Sequence, residues 1–230
     1  MSEKNVEHLE AIDTLAKAKG FWEKFKKPVL YIGTAIILLG GGYIAYNKYV
    51  AEPNEKSAAE AIFKAQEYFA ADSLNKALNG DGQAKGFLYI IKNYGSTPTG
   101  NLANFYAGVS YLRLKDFKNA VKYLEDFSTS SKLLQATAYA KLGDAYSEQG
   151  KNDDALEYYK KAARHFEADE AGSSEYLFRA GYLAESLNKN SEALELYKEL
   201  KEKYPKTEKG FQIDKYIYRL SVEKNEFSVK

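Results

Sequence analysis

The sequence predicts an all-α chain in which an N-terminal transmembrane helix is followed by an α-solenoid of repeated helix pairs. Three observations carry this prediction. Residues 29–46, VLYIGTAIILLGGGYIAY, hold no charge in eighteen positions. Beyond Pro53, apolar residues recur at helical spacing almost to the end. One set of small and large residues then returns three times at fixed offsets.

At about 1.5 Å per residue, the uncharged run reaches roughly 27 Å, close to the hydrocarbon thickness of a bilayer. Its flanks are organised, with Phe21, Trp22 and Phe25 among Lys24, Lys26 and Lys27 on one side and Tyr43, Tyr46, Lys48 and Tyr49 on the other. Residues 17–27 carry five lysines against Glu23, whereas residues 47–64 are balanced, so the N-terminus is expected on the cytoplasmic face. A cleaved leader is disfavoured by the long segment before the apolar run and by bulky residues after it. The expected organisation is therefore a cytoplasmic segment 1–28, a membrane helix 29–46, a repeat domain 54–222 and a tail 223–230. Upstream of the span, Val6, Leu9, Ile12, Leu15 and Ala16 recur at helical spacing and predict a short helix along the cytoplasmic surface; its acidic members Glu3, Glu7, Glu10 and Asp13 argue against a strong anionic-lipid anchor and leave packing on a protein as the alternative.

The repeat begins in the spacing of Gly108, Tyr111, Ala120 and Leu124. It returns as Gly143, Tyr146, Ala155 and Tyr159, and again as Gly181, Ala184, Ala193 and Tyr197. The first and third members are always twelve apart, and the first and fourth sixteen. A glycine in the first helix lets its partner approach closely, the alanine receives that contact, and the large residues fill the seam. The intervening turns read as residues 114–116, 149–153 and 187–190. An additional EADEAGSSE stretch at 167–175 predicts a longer exposed loop, with Ser173 or Ser174 as helix cap. A degenerate earlier copy is expected from Tyr68, Ala84, Leu88 and Ile91 with a loop at 79–82, and Phe211, Ile213, Ile217, Tyr218 and Leu220 are expected to close the far end.

Chemistry has little support. The chain lacks Cys, which excludes thiol nucleophiles, disulfides and Cys-based metal sites, and its two histidines, His8 and His165, lie far apart. Lys plus Arg number 33 against 32 Asp plus Glu, so no polyanionic nucleic-acid partner is expected. No phosphate-binding, nucleophile-elbow, zinc-protease or calcium-loop spacing occurs. The expectation is no enzyme, with no catalytic residue, metal, cofactor or small-molecule substrate.

The run Leu142, Gly143, Tyr146, Gly150, Ala155, Tyr159 and Ala162 resembles the tetratricopeptide repeat family, and residues 101–207 follow the same pattern less fully. The resemblance implies a protein-binding groove lined by the first helix of each pair. It places Phe105, Val109 and Arg113 there from one copy, Asp144 and Glu148 from the next, and Phe178, Tyr182 and Glu185 from the third. A short cytoplasmic segment, one span and an external repeat array together resemble the YfgM family. That resemblance implies an ancillary subunit of the Sec translocon or of a periplasmic chaperone network, in the bacterial inner membrane with its repeats in the periplasm. Its partners would be translocon subunits or a periplasmic chaperone. The alternatives are a scaffold for cell-envelope or outer-membrane assembly, which would recover different proteins, and an adaptor with cytoplasmic repeats, which requires the opposite topology.

Overall fold

The computed structural model describes the backbone of residues 3–224 and the side chains of residues 14–221. Two compact units divide at Asn54 and Glu55. The expected amphipathic positions Val6, Leu9 and Ile12 and the whole tail 223–230 lie outside the described side chains.

The first unit is built on α1, Glu3–Tyr46, followed by a π-helical turn at Asn47–Ala51. The uncharged run and the segment before it are thus one helix, which runs through Pro28. Its apolar window is not buried at all, and Ile37, Leu38 and Leu39 are each more than two-thirds exposed. A helix in the core of a soluble domain would be mostly buried; this one is exposed, and it is long and apolar enough to cross a membrane. Gly40, Gly41 and Gly42 have open space where a Cβ would stand.

The second unit is helical, with a single isolated bridge, Gly80 to Lys85, among its described residues. It comprises α2 (Glu52–Ala70) from Glu55 onward, α3 (Leu74–Asn79), α4 (Phe87–Tyr94), α5 (Pro98–Arg113), α6 (Phe117–Glu125), α7 (Lys132–Glu148), α8 (Asn152–His165), α9 (Glu170–Ser186), α10 (Asn190–Lys203), α11 (Glu208–Gln212) and α12 (Asp214–Lys224). Helix α5 packs on α6, α7 on α8 and α9 on α10, while α6 with α7 and α8 with α9 join neighbouring pairs. Each pair buries one apolar stripe against its neighbour, so the core runs on from pair to pair.

The turn inside each pair is the same structure. Asp72, Lys115, Gly150 and Asn188 are each left-handed, with φ of 56°, 62°, 72° and 59°. The next residue's N–H reaches back to Tyr68, Tyr111, Tyr146 and Ala184, at 2.8, 2.9, 3.0 and 2.9 Å. This reversal satisfies carbonyls that the helix end would otherwise leave orphaned. It also fixes the register of the earlier copy, because Tyr68 occupies the place of Tyr111 and Tyr146.

The seam follows the predicted offset of sixteen, with one change. A Cβ at Gly108, Gly143 or Gly181 would stand 2.5 Å from Leu124, 2.6 Å from Tyr159 or 2.4 Å from Tyr197. The glycine therefore receives the large residue directly. The nearest atoms to each glycine come from that large residue rather than from Ala120, Ala155 or Ala193, which are fully buried.

Three local expectations are corrected. Helix α9 is capped by Asp169, whose carboxylate accepts from Gly172 N–H at 3.1 Å. Asp caps as well as Ser, so the helix starts early, and Ser173 and Ser174 become buried helical residues. Ala84 lies in the loop between α3 and α4, where its N–H donates to Asp81, while Leu78, Phe87 and Ile90 fill the core. At the far end Ile213 and Leu220 are buried, but Phe211 and Tyr218 are both 73% exposed.

Candidate protein-binding groove

The first helices α5, α7 and α9 present their inner faces side by side, because each second helix lies behind its partner. Two adjoining depressions open on these faces. One is lined by residues that include Leu112, Arg113, Asp144, Ser147, Glu148 and Tyr159, and the other by residues that include Ser147, Asn152, Tyr159, Arg179, Tyr182 and Ser186. Ser147 and Tyr159 belong to both, so the two make one groove across all three glycine-centred pairs.

Four of the expected groove residues line it: Arg113, Asp144, Glu148 and Tyr182. Glu148 is exposed, and Tyr182 is 58% exposed. Arg113 is held in place, with its Nη2 donating to Asp72 at 2.7 Å and its guanidinium over the Phe69 ring. Asp144 is the centre of a node. It accepts from Lys141 at 3.0 Å, from the Tyr159 hydroxyl at 2.9 Å and from Arg179 at 2.8 Å. That node ties α7 to its own partner helix and to the next pair.

The remaining four serve packing. Val109 is 9% exposed, in a cluster with Leu124 and Leu142. Phe105 is half-buried, edge-on to Tyr106 and tilted on Phe127 at 5.3 Å. Phe178 stacks on Tyr182 and meets Tyr197 and Tyr216, which joins α9 to the terminal helix. Glu185 accepts from the Tyr197 hydroxyl at 3.0 Å and from Arg219. The nodes at Asp144 and Glu185 share a plan: a carboxylate on the first helix, the seam tyrosine behind it, and an arginine from a following element.

Burial, reinforced by the adjacent carboxylate, raises the Tyr159 and Tyr197 hydroxyls above the ordinary tyrosine value, so both stay donors. Burial also acts on Glu175, but in the opposite sense to its partners. Bonds from Arg179 and Lys209 outweigh it and hold this carboxylate below its usual range. His165 sits edge-on to Tyr139 at the end of α8, apart from the groove.

Arg179 and Tyr159 are groove residues that the sequence pattern did not point to. A usable signal exists for the arginine, because opposite charges pair at about one repeat length. Arg179 meets Asp144 at a separation of 35, Arg164 meets Glu199 at 35, Lys189 meets Asp153 at 36 and Arg219 meets Glu185 at 34.

Comparison with known proteins agrees with this geometry. A tetratricopeptide repeat model matches residues 140–207, and a tetratricopeptide repeat-like domain model matches residues 19–171. No curated protein sequence matches significantly. Among solved structures, a Podosopora anserina putative kinesin light chain with nearly identical TPR-like repeats aligns with TM-score 0.55 at 13% identity, covering 72% of this chain and 86% of that one. A single-substitution form of the same protein gives 0.54 at 12%, covering 72% and 85%. A structure of MamA aligns at 18% identity with TM-score 0.42, covering 60% and 83%. The likeness to the first two is one of fold. The repeat-like domain model spans most of the chain, and the chain belongs to the tetratricopeptide repeat-like family.

Proposed function

We propose that this protein is a non-enzymatic, membrane-anchored interaction module that holds a polypeptide in the groove between Arg113 and Ser186, on the periplasmic side of the bacterial inner membrane. The observation that carries the reading is the extent of the family match, which begins at residue 19 and so takes in the apolar helix together with the repeats. A leader added to an unrelated domain would fall outside such a match. The repeat fold is a typical scaffold for protein partners, and the groove side chains are mixed polar and aromatic, which suits a peptide segment.

The finer reading is an ancillary subunit of the Sec translocon or periplasmic chaperone network that assists exported chains. Its support is the order of the parts: a lysine-rich segment, one span, then the repeat domain. An array anchored beside the exit of a protein channel meets chains before they fold. The alternative, a scaffold for envelope or outer-membrane assembly, shares the anchor and the groove and differs in what is captured.

Two measurements test this. Protease added to intact spheroplasts should digest the repeat array; an array protected until the inner membrane is opened would overturn the topology. Gentle detergent extraction followed by affinity purification should recover translocon subunits. Recovery of envelope-assembly proteins instead would select the alternative.

A further inference from the structure

We propose that the segment from Leu15 to Phe25 is a second membrane-binding element, an amphipathic helix that turns at Pro28 and lies in the headgroup layer of an anionic membrane surface. The inference rests on the reading of residues 29–46 as a span and adds a lipid-binding site to it.

Leu15, Ala18, Trp22, Phe25 and Val29 follow one another at three and four residues and form a single stripe on α1, with Phe21 beside it. The stripe is uncovered: Leu15 is 62% exposed, Phe21 65% and Trp22 54%. Phe21 and Phe25 pack on each other with ring centroids 4.6 Å apart, which makes a preformed apolar ridge. Lysines border the ridge in register. Lys17 and Lys24, seven residues apart, run along one edge, and Lys19 and Lys26, also seven apart, along the other. Lys27 and Glu23 fall on the opposite face, from which Glu23 reaches across to pair with Lys26. Aromatic rings along one face with lysines on both edges is the pattern that places rings at the acyl boundary and lets lysine side chains extend their ammonium groups to lipid phosphates.

The magnitudes require the turn. Leu15 precedes Val29 by fourteen residues, which is about 21 Å along a straight helix. The headgroup layer on one side of a bilayer is only about 5–8 Å deep. A straight α1 perpendicular to the membrane would leave Leu15, Phe21 and Trp22 in water. Pro28, without an N–H for the Lys24 carbonyl, stands at the junction and is where a helix bends most readily. The occupant is a lipid surface rather than a protein because the ridge is continuous with the span and bordered on both edges by lysines.

Trp22 is the sole tryptophan of the chain and reports on this segment directly. The full chain would be reconstituted into phosphatidylcholine vesicles with and without phosphatidylglycerol, and Trp22 emission and its quenching by shallow brominated lipids measured. Expected is a blue shift with strong shallow quenching that grows with the anionic lipid and is reduced by salt. Each of Lys19→Gln and Lys24→Gln should lower the docked fraction relative to undocked about fivefold in the anionic vesicles, and Lys26→Gln, whose charge Glu23 partly offsets, by less. Lys27→Gln, on the far face, should do least.

Retention of the protein in the membrane through alkaline carbonate extraction reads the span separately. Loss in carbonate would remove the span and this inference with it. Retention with Trp22 emission unshifted, or with quenching indifferent to anionic lipid and to the edge lysines, would overturn the inference alone. Blue-shifted emission that brominated lipid does not quench would place Trp22 against a second copy of the protein and also overturn it.

Discussion

The Tyr159 hydroxyl donates to Asp144 at 2.9 Å while its ring lies against Gly143, the residue just before Asp144 in the chain. Close packing and a buried-edge hydrogen bond are thus made by one side chain. The absence of a side chain at 143 lets the ring approach, and the carboxylate at 144 satisfies the hydroxyl once it has done so.

Asp144→Ala should therefore destabilise the repeat array rather than only alter its surface. It strands the Tyr159 hydroxyl and leaves Arg179 with Glu175 as its remaining carboxylate, a loss of about 1–3 kcal/mol. Urea unfolding of residues 52–230 followed by circular dichroism checks this. An unchanged midpoint would mean that the node contributes nothing.

Gly143→Ala and Gly181→Ala should each cost about 1–3 kcal/mol, because the new methyl meets a buried tyrosine ring that has no room to move. Gly41→Ala, with nothing within 4 Å, is the matched control in the full chain. Equal thermal midpoints for Gly41 and Gly143 variants would refute the seam.

Thr97 and Thr207 cap helices by the same device. Each hydroxyl accepts from the glycine three residues on, at 3.0 and 3.1 Å, and donates to the tyrosine carbonyl three residues back. Either threonine changed to alanine should cost about 1 kcal/mol. Gly100→Ala and Gly210→Ala should cost more, since a Cβ would stand 1.8 and 2.0 Å from the Tyr94 and Tyr204 carbonyl oxygens. Ranking the four midpoints decides whether the cap or the close approach dominates.

Stability should fall at both ends of the pH scale. Tyr159 and Tyr197 are raised in the folded state, so their contribution is complete below about pH 10, the unfolded tyrosine value, and is lost as pH climbs from there toward the folded values. Glu175 and Glu199 are lowered, so theirs is present above the ordinary 4.5 and is lost as pH drops through the folded values. Absorbance of tyrosinate against pH should show a late group that ionises together with loss of helicity. Titration of all tyrosines near pH 10 with helicity intact would contradict it.

Groove and packing roles separate at two aromatics. Tyr182→Ala, at an exposed site, should weaken partner capture with little change in stability, whereas Phe105→Ala should destabilise the array through its contacts with Tyr106 and Phe127. Capture assays paired with thermal melts distinguish them. Tyr182→Ala with undiminished capture would move the partner away from this groove.

Helical periodicity, the offset of sixteen between glycine and seam residue, and the uncharged run all lie within short stretches of chain, so the order of residues alone determined the paired-helix repeats and the apolar N-terminal helix. The turns were equally legible, because a left-handed residue at 115, 150 or 188 is a local requirement. What the sequence left open was which polar side chain meets which across the stack. Asp144 and Glu185 read as groove charges, yet each is claimed by a tyrosine behind it and an arginine from a following element. Only tertiary structure decided this, because the bonds form between residues up to 35 apart whose approach is set by how closely one helix pair seats on the next.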